Sequence, residues 1–94
     1  MTFENKLKKK LINREKALGC WTSLDNEITS EMLANVGFNF LLIDHEHGYG
    51  DVRGITRQIQ SLKETDCSAL VRMPKDDEVY VKKTLDSGAN SLMF

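Results

Sequence analysis

This sequence is short of the residues that build cross-links and sharp breaks. It holds one proline, Pro74, and two cysteines, Cys20 and Cys67, with no CxxC or Cys/His ligand spacing. Buried free thiols beside apolar strands are expected, with a structural disulfide or metal site as the second alternative. It also lacks an excess of either charge: Lys+Arg 13 nearly cancel Asp+Glu 14, so charge gives no grip on nucleic acid or on a membrane surface. No apolar run approaches the roughly 18 residues of a membrane span, and no apolar signal region follows the basic start. A cytoplasmic location is expected. GxGxxG, Walker A and GxSxG motifs are missing too, which leaves dinucleotide, P-loop and serine-hydrolase readings without support. No internal repeat or low-complexity linker interrupts the chain.

What is present is the balance of an ordinary globular chain, with 40% apolar and 29% charged residues, and 94 residues suffice for one small domain at most. Near the N-terminus Lys6, Lys8, Lys9, Lys10, Arg14 and Lys16 are threaded by Phe3, Leu7, Leu11 and Ile12 at helical spacing. This predicts an amphipathic helix over residues 3–16 whose charges form a solvated face rather than an anion site.

From residue 17 onward, apolar runs alternate with helical patterns. A first strand is expected over Ala17–Trp21. Thr22, Ser23, Asp25 and Asn26 then offer caps for a helix carrying Ile28, Met32, Leu33 and Val36 on one side, and Gly37 stops it. Phe38–Ile43 has almost no polar alternation, the pattern of a strand covered on both faces in a parallel sheet. Asp44–Gly50 reads as a loop, and Asp51 caps a helix with Val52, Ile55, Ile59 and Leu62 on its apolar side. Ser68–Met73 reads as a strand, Pro74–Asp77 as a turn and cap, and Glu78–Ser87 as a helix ended by Gly88. Ser91–Phe94 begins a fourth strand.

Strands separated by helices at this spacing imply βαβ crossovers and a parallel α/β sheet. A (β/α)8 barrel typically takes about 250 residues, so four strands correspond to half of one; an open doubly wound sheet is the structural alternative. Because the last apolar run has nothing left to cover it, the chain is expected to be part of a longer domain.

In either architecture ligands bind at the carboxyl ends of the strands. Those ends carry Trp21, then Asp44, His45, Glu46 and His47, then Arg72. Two imidazoles and two carboxylates in succession suit general acid/base work or one or two metal ligands; equally, they suit a polar loop with Asp44 as a cap. Arg72, directly after Ala69, Leu70 and Val71, can grip a carboxylate with both arms of its guanidinium or form a structural ion pair. Trp21 is either a pocket wall or core packing. Asp86, near a helix C-terminus, opposes the helix dipole, which hints at another role.

Four blocks of this sequence resemble the HpcH/HpaI aldolase family, which includes citrate-lyase-like members. They are Leu18-Gly19-Cys20-Trp21, Gly37 through Gly48, Val71-Arg72-Met73-Pro74, and Leu85-Asp86-Ser87-Gly88-Ala89. The resemblance implies the N-terminal half of a (β/α)8 barrel filling residues 1–94. It also implies a class II aldol reaction, in which a divalent metal ion (Mg2+, Mn2+ or Co2+) and an arginine hold the pyruvate moiety of a 2-oxo acid substrate. By position, His47 matches the catalytic base, Asp86 the carboxylate that raises its basicity, Arg72 the pyruvate-binding arginine, Trp21 a pocket residue, and Glu46 support around the site. His45 has no catalytic role in this reading. Metal ligands are expected beyond residue 94, so none are assigned here, and the chain alone is expected to be inactive. A homo-oligomer is expected. The alternatives are a non-catalytic half-barrel that pairs with itself or a partner, and a citrate-lyase-like enzyme.

Overall fold

A computed structural model of the chain describes residues 4–94. Four helices and four strands alternate: α1 (Lys6–Ile12), β1 (Gly19–Thr22), α2 (Glu27–Val36), β2 (Phe40–Asp44), α3 (Val52–Ser61), β3 (Ser68–Arg72), α4 (Glu78–Asp86) and β4 (Leu92–Met93). The strands form one parallel sheet in the order β1-β2-β3-β4. Sequential parallel neighbours joined by helices are the pattern of a (β/α)8 barrel wall rather than of a doubly wound sheet, whose strand order reverses.

Local chemistry explains most boundaries. Side chains of Asn5, Asn26, Asp51 and Asp77 each accept a backbone N–H three residues on, capping α1 to α4. Gly37 and Gly88 follow α2 and α4 with φ of 117° and 108°, the left-handed region where a Cβ is costly.

The first helix is shorter than expected. It stops at Ile12 because Arg14 takes φ 56°, the Arg14 N–H donates to Leu11 O and the Glu15 N–H donates to Lys10 O. That pair of bonds is a Schellman closure, here without the glycine that marks such ends in a sequence. Phe3, the first residue of the expected helix, lies outside the described residues.

Alternation along the strands divides the sheet into two faces. Leu41, Ile43, Ala69 and Val71 point toward the helices and join two clusters, one with Ile55, Met73 and Ala89, the other with Ala34, Leu62 and Cys67. The opposite face carries Trp21, Leu42 and Leu70 in one register row and Asp44 with Arg72 in the next. Both faces of β2 are covered: Leu41, Leu42 and Ile43 are all buried. Both cysteines are free thiols, Cys67 buried and Cys20 half-buried.

Helix α2 turns a different side inward from the one its apolar residues suggest. Ser30 and Ala34 are buried, with Leu33 packed beside them, while Ile28, Met32 and Val36 are exposed. The small side chains let α2 approach α3 closely, and the Ser30 hydroxyl donates to Gln58 Oε1 at 2.9 Å within that contact. Gln58 in turn donates to Asp25 Oδ1 and to Gly54 O, so the buried amide is satisfied at both ends.

Candidate active site

The polar cluster forms where β1, β2 and β3 end, and Asp44 is its hub. As the last residue of β2, Asp44 is held rigidly by the sheet and is opposite Arg72 in the register. Its Oδ1 accepts the backbone N–H groups of Glu46 and His47, both at 2.9 Å, which folds the following loop back over the strand end. Its Oδ2 accepts Trp21 Nε1 at 2.9 Å and an Arg72 Nη1 at 3.4 Å.

Burial alone raises the Asp44 pKa. The bonds from Trp21, His47 and Glu46, with the Arg72 charge, outweigh that and hold it at about 2. Asp44 is therefore a fixed anion, and it places two side chains, those of Trp21 and Arg72, and the backbone of Glu46 and His47. Arg72 reaches past Asp44 to pair with Glu46 Oε1 through Nη2, and its guanidinium carbon lies 5.8 Å from the centre of the Trp21 ring. Glu46 Oε1 is 3.2 Å from His47 Nε2. The order from buried to open is Asp44, Arg72, Glu46, His47, with side chains 5%, 27%, 38% and 72% exposed. The imidazole is thus the member that an incoming molecule meets first.

The loop backbone is fixed as closely as the side chains. A Cβ on Gly48 would overlap the Asp44 carbonyl oxygen, so only glycine lets the chain turn back at this point. His45 turns the other way: it is buried, its N–H donates to Arg72 O, and its Nδ1 is hydrogen-bonded to the Tyr80 hydroxyl at 2.9 Å. Burial lowers its pKa against the opposing pull of Asp25, Asp51 and Asp44.

Trp21, Glu46, His47 and Arg72 thus meet in one cluster. Asp86 does not join them. It is exposed in the last turn of α4, which runs antiparallel to the strands and ends toward their N-terminal side, whereas His47 follows the C-terminal end of β2. Glu46 is the carboxylate beside His47 in this chain. Asp44 is more than the cap its place in the sequence suggests, since it accepts from four donors. The sequence signal for this is that it ends an apolar strand as Arg72 does, a position that suits a cap equally well.

Among the described residues no group of three or more His, Cys, Asp or Glu side chains is arranged to hold a metal ion. The two carboxylates of the cluster both face Arg72. These residues do not by themselves fit a metal centre. A cavity of about 550 Å3 lies among Lys6, Phe38, Lys63 and Asp66, beyond the N-terminal ends of β2 and β3 and away from the cluster.

Comparison with known proteins gives a consistent result. The model of the family described as HpcH/HpaI aldolase/citrate lyase matches residues 17–94. A hydroxypyruvate/pyruvate aldolase of Roseobacter denitrificans is 40% identical over 89 residues, covering 95% of this chain and 35% of the relative. A 5-keto-4-deoxy-D-glucarate aldolase of Escherichia coli is 36% identical over 86 residues, covering 92% of this chain and 34% of the relative. A crystal structure of an HpcH/HpaI aldolase/citrate lyase family protein from Burkholderia cenocepacia superposes with a TM-score of 0.89 at 34% identity, over 97% of this chain and 37% of that one. The chain spans about a third of the length of the relatives it matches. With the family match covering all four strands and every member of the polar cluster, the chain belongs to the HpcH/HpaI aldolase/citrate lyase family.

Proposed function

We propose that the full-length protein containing this chain is a metal-dependent aldolase, cleaving a 4-hydroxy-2-oxo acid to pyruvate, or a related 2-oxo acid, and an aldehyde. The observation that carries this reading is the Arg72 guanidinium, fixed at the mouth of the sheet between Asp44, Glu46 and the Trp21 ring, beside an open imidazole. A planar guanidinium held in this way suits the carboxylate and oxo oxygens of a 2-oxo acid.

In this reading His47 handles the proton. Glu46 Oε1, 3.2 Å from Nε2, favours the tautomer protonated there and leaves the lone pair of Nδ1 for the substrate. It removes the proton of the 4-hydroxyl as the C3–C4 bond breaks. The C3–C4 electron pair moves into the 2-oxo unit as an enolate, the aldehyde departs, and protonation at C3 yields the 2-oxo acid. Arg72 offsets the negative charge that builds on the enolate oxygen. A divalent ion, with donors proposed to lie outside residues 1–94, would supply Lewis-acid chemistry to this reaction.

The test is steady-state release of pyruvate by the full-length protein with Mg2+, Mn2+ or Co2+, measured by coupling to lactate dehydrogenase. His47→Ala should lower kcat by about 10²–10⁴ with unchanged far-UV circular dichroism. Arg72→Lys should raise KM for the oxo acid and lower kcat, because an ammonium does not reproduce the two-armed contact. Absence of metal-stimulated pyruvate release from any 4-hydroxy-2-oxo acid by the wild type would overturn the proposal.

A further inference from the structure

At the ends of β1 and β2 that carry the polar cluster, three large apolar side chains face solvent: Trp21 is 57% exposed, Leu24 64% and Tyr49 89%. They come from the ends of the same two strands. Trp21 lies in β1 and Leu24 in the loop after it, while Tyr49 lies in the loop after β2, two residues beyond His47. The Tyr49 N–H donates to Ser23 O at 3.3 Å, which joins the two loops at the residue between Thr22 and Leu24.

Tyr49 is not loosely placed. Its neighbours Gly48 and Gly50 pack so closely that a Cβ on the first would overlap Asp44 O and one on the second would press on the Asp25 carboxylate. A backbone fixed on both sides by glycine contacts, with a nearly fully exposed phenol between them, is costly as surface and useful as a wall. Apolar walls beside a few convergent polar groups are the usual make-up of a ligand pocket.

The charges in these loops narrow the ligand. Residues 22–26 and 45–51 contain Asp25, Glu46 and Asp51 and no lysine or arginine. Arg72, the nearest cation of the cluster, is already engaged by two carboxylates. Arg57 lies 3.8 Å from Asp25, and Arg53 and Arg57 act on Asp51, so the nearby cations are engaged by the loops' own carboxylates and an anionic group beyond the oxo-acid half of the substrate would have to compete with those carboxylates.

We propose that Trp21, Leu24 and Tyr49 form the subsite for the aldehyde half of the substrate, and that this subsite selects uncharged apolar or aromatic aldehydes over anionic ones. The inference rests on the aldolase reading and specifies which substrates it takes. Trp21 serves both halves: its ring nitrogen holds Asp44 and its exposed face meets the aldehyde.

The experiment uses the full-length protein with Mn2+ and pyruvate as the aldol donor. Aldol addition is measured with glycolaldehyde, glyoxylate, butanal and hexanal, and exchange of the pyruvate methyl protons in D2O is followed by NMR. Exchange reports enolate formation without any aldehyde. The wild type should show kcat/KM rising from butanal to hexanal, by up to about fourfold for each added methylene that is buried, with glyoxylate poorest. In Tyr49→Ala the ratio of hexanal addition to methyl exchange should fall about tenfold, and in Leu24→Ala by a smaller factor, whereas the same ratio for glycolaldehyde should change less than about twofold. A wild type that prefers glyoxylate to hexanal, or variants that leave the hexanal ratio unchanged or lower every aldehyde equally, would overturn the subsite. No methyl exchange in the wild type with any metal would instead refute the aldolase reading itself.

Discussion

Replacing Asp44 with asparagine isolates the contribution of the hub. The side chain keeps its size, and Asp44 is 5% exposed, so the change is electrostatic rather than steric. The carboxylate accepts from four donors: the Glu46 and His47 N–H groups on Oδ1, and Trp21 Nε1 with Arg72 Nη1 on Oδ2. An amide offers one oxygen. If that oxygen keeps the two loop N–H groups, its NH2 faces the Trp21 and Arg72 donors; flipped, it faces the loop. Either way two donors lose their acceptor, at about 1–3 kcal/mol each or about 2–6 kcal/mol together, and relaxation of the loop and of the partly exposed Arg72 reduces the expected total to about 2–4 kcal/mol. The acidity of Asp44 gives an independent figure. Depression from 3.8 to about 2 corresponds to at most about 2 kcal/mol, describing the same bonds and not to be added.

The assay is thermal unfolding of wild-type and Asp44→Asn full-length protein by circular dichroism. For a protein of about 250 residues, the variant should melt roughly 4–16 °C lower near neutral pH. The pH dependence gives the sharper check. A carboxyl whose folded pKa is depressed stabilises the protein above its unfolded pKa, and that contribution is lost as pH falls through the folded value. The gap between the two proteins should therefore hold down to about pH 4 and shrink toward about pH 2. Equal melting near neutral pH, or a gap that does not narrow with acid, would refute the assignment of Asp44 as a buried anion that organises the site.

Other outcomes follow from single contacts. Gly48→Ala places a methyl against the Asp44 carbonyl oxygen, a backbone atom that cannot swing aside; stability should fall by about 2 kcal/mol or more and turnover with it, read by thermal unfolding and pyruvate release. Burial pushes the Cys67 thiol up to about 11, so peptide mapping after alkylation at mildly alkaline pH should find Cys67 unmodified in the native protein and modified once it is denatured. The 94-residue chain alone should release no pyruvate with any divalent metal, since its described residues assemble no donor set; turnover by it would overturn the proposal that the metal ligands lie outside it.

The order and kind of the elements are legible along the chain. Alternating apolar runs and helical spacing, Asn26, Asp51 and Asp77 as caps, and Gly37 and Gly88 as stops are signals that act within a few residues, so they survive without knowledge of the fold. Strand ends in a parallel sheet also share one side, which is why Trp21, His47 and Arg72 could be picked out along the chain. Which groups meet depends on contacts between elements distant in the chain. The end of α1 at Arg14 carries no glycine, and the inward side of α2 is set by Ser30 meeting Gln58 of α3 rather than by its own apolar stripe. Asp86 lies a helix length from the C-terminal ends of the strands, a separation that its place in a motif does not reveal. Asp44 becomes a hub only because the parallel register sets it opposite Arg72 and within reach of the Trp21 indole. Those partners are far apart in sequence, and only the pairing of β1, β2 and β3 brings their charges into one field.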